Sequence, residues 1–258
     1  YTIRKNLITA SDFAQALGKG KFGTASQFYK KKCGYEVDTI DMEMAPLKWG
    51  VRYEEVANMF YKLKMNVEVH EFGILKHPKI DFIGASPDGI SEMGVMLEIK
   101  CPWKRKRTDT IPEQYIYQIQ GQLEVCDLEE CDYLECYISE YEDRKEMKND
   151  TTRFYKGIIY EMHDGKYKYS PLNDLDYMIG SDVKNVYYYG INEYFLKRVY
   201  RNKALFQELV NGLEAVWNNV KLYREDEAIY QNAVKTNKRA KKAPVFMFRK
   251  CDEDEITL

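Results

Sequence analysis

Asp88, Glu98 and Lys100 bring together the residue types of a phosphate-processing metal site within the stretch GASPDGISEMGVMLEIK, from Gly84 to Lys100. Glu98 and Lys100 stand two apart in LEIK, so on a strand both side chains leave by one face while Leu97 and Ile99 pack on the other. Asp88 sits in a PDG turn a short hairpin's length earlier, where the chain bends and can return it to the same point. Two acids beside a lysine cost desolvation unless a cation draws them together. Mg2+ takes carboxylate oxygens, keeps several waters and holds substrate phosphate, while a neighbouring lysine orients or deprotonates the attacking water. The chemistry implied is phosphodiester hydrolysis. The competing reading is a surface hairpin with a solvated Glu and Lys. The E-x-K triplet alone favours that reading, and the PDG turn before it shifts the balance.

The elements needed to hold such a site are legible as changes of period. ITASDFAQALGKGKFGTASQFYKKKCG predicts two short helices, with Ser11 as the first N-cap, Gly18 and Gly20 ending that helix, and Thr24 or Ser26 starting the second. LKWGVRYEEVANMFYKLK predicts a longer helix with Tyr53, Val56, Phe60 and Leu63 as its buried stripe. The period then becomes two. VEVHEFGIL, DFIGASPDGI and VMLEIK predict three strands, with SEMG as the turn between the last two. IPEQYIYQIQGQLEVC predicts a helix beginning after Pro112, and CDYLECYISEY and TTRFYKGIIYEM predict further strands across a charged connector from Glu142 to Asp150. The segment from His163 to Asp182 reads as loop, and VKNVYYYG as one short strand or more loop. From Ile191 onward the pattern predicts a long helical region that breaks near Arg201, then a basic tail, KTNKRAKK, before an acidic C-terminus. This order predicts an α/β fold with a central mixed β-sheet flanked by helices.

Composition narrows the function classes. The 258 residues are 45% hydrophobic and 31% charged, enough for one sizeable core, and 39 Lys plus Arg against 41 Asp plus Glu leave a net charge of -2. Nucleic-acid binding must therefore come from local patches. No window approaches the roughly 18 apolar residues of a membrane span, and the N-terminus shows no secretory pattern. The expectation is a soluble protein without membrane contact, cytoplasmic or nuclear. Cys33, Cys101, Cys126, Cys131, Cys136 and Cys251 form no CxxC, which fits a reducing compartment with structural thiols better than an iron-sulfur cluster on the 126, 131 and 136 series. His70, His77 and His163 lack zinc spacing, and no P-loop pattern occurs.

Taken in order, ASPDG, LEIKCP and YIYQIQGQLEV resemble the PD-(D/E)xK nucleases, in the branch of phage lambda exonuclease and the YqaJ-type viral recombination exonucleases. ITASD and WGVRYEEVA are similar to two further segments of that branch. The likeness covers roughly Arg4 to Val125, with weaker echoes in KRVYRNKALFQELVNGLEAVW. It implies a restriction-endonuclease-like core. Spacing leaves Glu54 and Glu55 nearly even as a helical acid, and the family's G-x-x-x-E pattern, here Gly50 to Glu54, selects Glu54. The resemblance implies Asp88, Glu98, Glu54 and the Ile99 carbonyl as metal ligands, Lys100 as the catalytic lysine, and Mg2+ as the ion with Mn2+ as the alternative.

Gln118 and Gln120 match the family's Q-x-Q. Two apart on a helix they cannot share a face, and Gln118 is favoured for the site because Tyr115 and Gln122 flank its side. The branch also implies a 5'-phosphate pocket of Arg4, Ser11 and Ser86, where a guanidinium fork and hydroxyls suit phosphate. Ser11 as a simple N-cap is compatible with that role.

The run Lys104, Arg105, Lys106, Arg107 follows the proposed catalytic strand, with Trp103 available to pack or stack. A solvated face is the usual meaning of such a run, and its position favours a grip on DNA. GKGKFG and YKKK can extend that basic surface, and the tail is a DNA-touching arm or a solubility feature.

The expectation is a single nuclease domain over 1–258: N-terminal helices with DNA-end contacts in 1–65, catalytic sheet and Gln helix in 66–160, C-terminal loop and helices in 161–235, and tail in 236–258. The implied activity is a metal-dependent 5'-to-3' exonuclease on double-stranded DNA ends, leaving 3' overhangs for a single-strand annealing protein in recombination or viral DNA processing. A homo-oligomer is a family possibility. The alternatives are an endonuclease or flap-type nuclease on the same core, and, ranked lower, a DNA-end-binding protein without hydrolysis.

Overall fold

The computed structural model describes residues 2–35 and 44–239. The chain enters through α1 (Thr2–Lys5) and β1 (Ile8–Thr9), makes a 3-10 turn at Ala10–Asp12, and continues into α2 (Phe13–Ala16) and α3 (Ala25–Cys33). Thr24 caps α3 in a reciprocal box with Gln27, and Gly34 closes it in the left-handed region at φ 80°. Ser11 lies inside the 3-10 turn behind Thr9, so it is not the N-cap expected from sequence. The extended pairing of Thr9 with Gly84 sets the start of the turn.

Next comes α4 (Ala45–Met65), with Pro46 in its first turn and Asn66 ending it at φ 54°. Its buried stripe is Tyr53, Val56, Ala57, Phe60 and Tyr61. Leu63, expected in the stripe, is 58% exposed, whereas Ala57 and Tyr61 on the other flank are buried.

The following strands are β2 (Val69–His70), β3 (Leu75–Lys76), β4 (Ile83–Ala85), β5 (Gly89–Ser91) and β6 (Met96–Lys100). After these come α5 (Glu113–Cys126), β7 (Glu130–Tyr141), α6 (Arg144–Asn149), β8 (Lys156–Met162) and β9 (Tyr167–Tyr169). The chain continues with β10 (Val183–Tyr200), α7 (Lys203–Glu225) and α8 (Glu227–Arg239). VEVHEFGIL is thus two strands, β2 and β3, and DFIGASPDGI is two more, β4 and β5. Each pair is divided between a small sheet of order β1-β4-β3 and a larger one of order β2-β5-β6-β7-β10-β8-β9. In the larger sheet β6 and β7 run parallel and the other pairs antiparallel.

The helical reading fails from Ile191 to Tyr200, which belong to β10. That strand pairs with β7 from Tyr188 to Tyr200 and with β8 from Val183 to Gly190, with a bulge between Ile191 and Glu193. Continuous pairing with β7 and a Tyr, Val and Phe-containing sequence outweigh the helix-like spacing of charges in this segment. The connector from Glu142 to Asp150 contains α6, capped by Asp143. The basic tail read from Lys235 begins inside α8, which runs to Arg239, and its remainder from Ala240 onward, with Cys251, lies outside the described residues.

Helices cover both faces of the larger sheet. Tyr53, Val56 and Phe60 of α4 pack with Leu97, Ile99, Leu134 and Cys136, while Ile119 and Leu123 of α5 pack with Met96, Cys131 and Tyr133. A third cluster joins Phe13, Ile83, Tyr117, Leu213 and Trp217, which seats the N-terminal turns on α5 and α7. Gly121 permits that seat. A methyl group there would stand 2.5 Å from the Phe13 ring and 3.0 Å from the Ala10 Cβ.

Candidate active site

Alternation along β6 turns Leu97 and Ile99 toward α4 and leaves Met96, Glu98 and Lys100 on the side of α5. Glu98 is fully buried, and each of its oxygens is held. Gln118 Nε2 donates to Oε1 at 2.7 Å, Gln122 Nε2 donates to Oε2 at 2.7 Å, and the Lys100 ammonium also contacts Oε1. Gln118 and Gln122 are four apart on α5 and therefore share a face.

Gln120 points away. Its Nε2 donates to the Tyr200 carbonyl at 2.9 Å and its Oε1 accepts from the Asn202 amide at 2.6 Å, clasping the junction of β10 and α7. Gln122, which the sequence places only on the same side as Gln118, is itself a partner of Glu98, as its i+4 relation to Gln118 allows.

Asp88 reaches the cluster across the β5–β6 hairpin and accepts from the Ile99 amide at 2.7 Å. Burial, reinforced by Glu98 and Glu54, pushes its carboxyl well above the ordinary range against the pull of Lys100 and the Ile99 amide. Burial disfavours the Lys100 ammonium, yet Glu98 and Asp88 outweigh it and raise the lysine's pKa. Lys100 is thus held as a proton donor. Glu54, on an open face of α4, is raised by crowding within the protein and by Glu98, with Lys100 opposing. Glu55 instead accepts from Asn58 Nδ2 at 3.1 Å, so the geometry separates the two neighbouring acids.

The cluster therefore sets Asp88, Glu98 and Glu54 against one ammonium, an excess of negative charge that a divalent cation would neutralise. Gln122 Oε1, buried beside Glu98, has no hydrogen-bond partner among the described residues and supplies a spare acceptor. Among those residues no group of three His, Cys, Asp or Glu side chains is arranged to enclose a metal. This donor set suits a divalent cation that binds through one or two carboxylates and fills its shell with water and phosphate.

Of the residues expected around a DNA end, Ser86 adjoins this cluster through Gln122. β1 and β4 pair in parallel, Ile8 with Ile83 and Thr9 with Gly84, so Ser11 and Ser86 follow at the same offset beyond the paired residues. The Ser86 carbonyl accepts from Gln122 Nε2 at 3.4 Å, which links this corner to Glu98. Arg4 is exposed on α1, and its carbonyl accepts from Lys32 Nζ at 3.0 Å.

Lys32 belongs to YKKK but adds nothing to a basic surface. It is buried, donates to the Leu7 carbonyl at 2.7 Å and pairs with Asp12 at 2.8 Å. Thr9 Oγ1 donates to Asp12 at 2.9 Å and lies 3.2 Å from the exposed Ser11 hydroxyl. Burial opposes the Asp12 charge, and Lys32 with Thr9 more than offsets it, so the carboxyl stays below its ordinary value. A buried pair with its hydrogen bonds satisfied ties α1, through the Arg4 carbonyl, to the turn that carries Ser11.

The four cations after β6 divide. Arg105 engages the buried Glu135, and Arg107 pairs with Asp109 at 2.9 Å and Glu193 at 3.5 Å. Lys104 lies 4.0 Å over the Trp103 ring, and Lys106 is exposed. Of the clustered cysteines, Cys131 packs on the α5 face of β7 and Cys136 on the α4 face, so the sheet separates them. Five residues along a strand reverse the face, which excludes a shared cluster at that spacing.

Comparison with known proteins agrees with this architecture. An alkaline exonuclease, LHK-Exo, from Laribacter hongkongensis superposes with a TM-score of 0.55 at 21% identity, over 92% of this chain and 97% of that one. A phage-related exonuclease from Haemophilus somnus gives a TM-score of 0.50 at 12% identity, over 87% and 96%. These likenesses establish the fold, a curled mixed sheet between helices. An uncharacterised protein, R354, of Acanthamoeba polyphaga mimivirus is 27% identical over an alignment 292 positions long, covering 88% of this chain and 52% of that protein. The chain thus spans about half the length of this curated relative. A family model for the YqaJ-like viral recombinase domain matches residues 1–129, which contain the whole cluster around Glu98. The chain belongs to the YqaJ-like viral recombinase family.

Proposed function

We propose that the chain is a metal-dependent deoxyribonuclease acting on linear double-stranded DNA from the 5' end and leaving a 3' single-stranded overhang. The observation that carries this reading is the Asp88, Glu98 and Glu54 cluster, with its single ammonium and two glutamine amides. The fold shared with two proteins named as exonucleases supports it.

Asp88 and Glu98 would hold Mg2+, or Mn2+, with Glu54 and the Ile99 carbonyl contributing from the rim. When bound, such an ion lowers the pKa of water and neutralises phosphate charge. Lys100, held protonated, donates to the nucleophilic water or to a non-bridging phosphate oxygen. Gln118 and Gln122 keep the Glu98 carboxylate in one orientation without adding negative charge. Arg4, Ser11 and Ser86 would receive the terminal 5' phosphate, with a fork of N–H donors and two hydroxyls. The overhang suits a single-strand annealing protein as the next partner.

The test is digestion with Mg2+ of linear duplex bearing 5'-phosphate or 5'-hydroxyl ends, beside a closed circle. Loss of linear DNA alone, faster from the phosphorylated end, is the expected outcome. Cleavage of the circle would replace the exonuclease with an endonuclease on the same core.

A further inference from the structure

Two open cavities, of about 700 and 530 Å³, merge into one trough because Arg107, Asn192 and Glu193 line both. The trough begins at Pro102, two residues beyond Lys100, crosses β7 at Tyr137–Ser139, and ends at Arg153 and Phe154 before β8. It is coupled to the candidate active site through Tyr115, whose ring lies 4.9 Å from the Lys100 ammonium and 5.7 Å from the Arg105 guanidinium.

Large apolar rings are exposed at both ends. Trp103 is 39% exposed and Phe154 is 81% exposed, far beyond what packing asks of a phenylalanine. Charge along the trough is mostly committed internally. Arg105 is held by Glu135, Arg107 by Asp109 and Glu193, and Arg153 by Asp150 at 2.7 Å. Lys104 and Lys106 have no carboxylate partner among the described residues.

We propose that this trough binds an unpaired DNA strand at the exit of the candidate active site, with Trp103 and Phe154 as stacking positions and Lys104 and Lys106 as phosphate contacts. Successive base faces are open to aromatic rings in an unpaired strand, whereas a duplex stacks its bases internally and offers along its length only backbone and groove edges. A surface with two cations free of carboxylates, one of them resting over the Trp103 ring that a base would displace it from, and two exposed rings suits stacking more than backbone attraction. That the strand comes from a digested duplex rests on the nuclease reading; the binding itself does not.

The experiment is fluorescence anisotropy of a short dye-labelled oligothymidylate with the full chain in EDTA, where metal-dependent hydrolysis is suppressed. Phe154→Ala and Trp103→Ala should each weaken binding about tenfold or more, the loss of one stacked base. With two lysines neutralising phosphate, the slope of log K against log salt should be about -1.4, falling toward zero in the Lys104→Ala/Lys106→Ala double variant. Both rings are exposed, so circular dichroism and melting should match the wild type.

Oligothymidylate affinity unchanged in both aromatic variants, or equal competition by a blunt duplex, would overturn the proposal. Digestion of linear duplex measured in parallel keeps the two readings apart. Strand binding without digestion removes the nuclease and leaves the trough, while digestion with ring-independent strand binding removes only the trough.

Discussion

Glu98 on β6 and Glu135 on β7 are both fully buried carboxylates on neighbouring parallel strands, in a register that pairs Glu98 with Tyr133 and Lys100 with Glu135. Their surroundings differ in balance. Glu135 faces one guanidinium, Arg105, and accepts from the Tyr133 and Tyr137 hydroxyls. Burial and the Glu135 charge push both phenols up, which keeps them protonated as donors. One anion meets one cation and the site is closed.

Glu98 shares a single ammonium with Asp88 and Glu54, and its other donors are neutral amides. Burial of an acid therefore does not identify a functional site. What does is an excess of acidic charge gathered around a buried carboxylate that the fold leaves unbalanced.

Variants that break this contrast should separate stability from activity. Glu135→Ala leaves Arg105 and two phenols without their acceptor and should cost about 3–5 kcal/mol, read by denaturant unfolding. Asp88→Asn should move stability the other way in EDTA, raising the Tm by removing repulsion, while abolishing digestion. Lys100→Ala should lower the single-turnover rate about 100- to 1,000-fold with the protein still folded.

The pH dependence sharpens the same point. Because Asp88 has its folded pKa raised, the folded state holds the proton more tightly than the unfolded chain does. Its contribution to stability is present at acidic pH and is lost as pH rises through the raised value. In metal-free buffer, the Asp88→Asn variant should lack this decline, and added Mg2+ should stabilise the wild type more as pH rises. Melting curves across a pH series check both.

Smaller effects follow in α5 and at the DNA end. Gln120→Ala should cost about 1–2 kcal/mol of stability, with the folded fraction fully active, since Gln120 clasps backbone groups of Tyr200 and Asn202. Gln122→Ala should lower kcat with KM retained. Ser11→Ala should reduce the preference for 5'-phosphate over 5'-hydroxyl ends by only about three- to tenfold, the loss of one hydrogen bond.

Legibility in the sequence followed the range of the interactions involved. The two-residue spacing of Glu98 and Lys100, the helix between Pro112 and Asp127, and the capping of α3 by Thr24 are local, and local pattern exposes them. Ile191 to Tyr200 reads as helix because its charges repeat at helical spacing, while β7, the strand that holds it, lies far away in the chain. The split of VEVHEFGIL between two sheets is likewise set by distant partners. The basic run shows the same limit from the side of charge. Its sequence cannot tell that Arg105 is committed to Glu135, 30 residues on, nor that Lys32 is buried on Asp12. Which acid of Glu54 and Glu55 faces the cluster depends on helix rotation, which the apolar stripe defines only to within one residue.

The most direct test of the central claim is digestion of linear duplex across a Mg2+ series by the wild type and by Asp88→Asn, with melting curves for both. The account predicts wild-type activity that rises with Mg2+ and vanishes in EDTA, and a variant that is folded and inactive at every concentration. Activity that persists in EDTA, or an Asp88→Asn protein digesting at the wild-type rate, would contradict it.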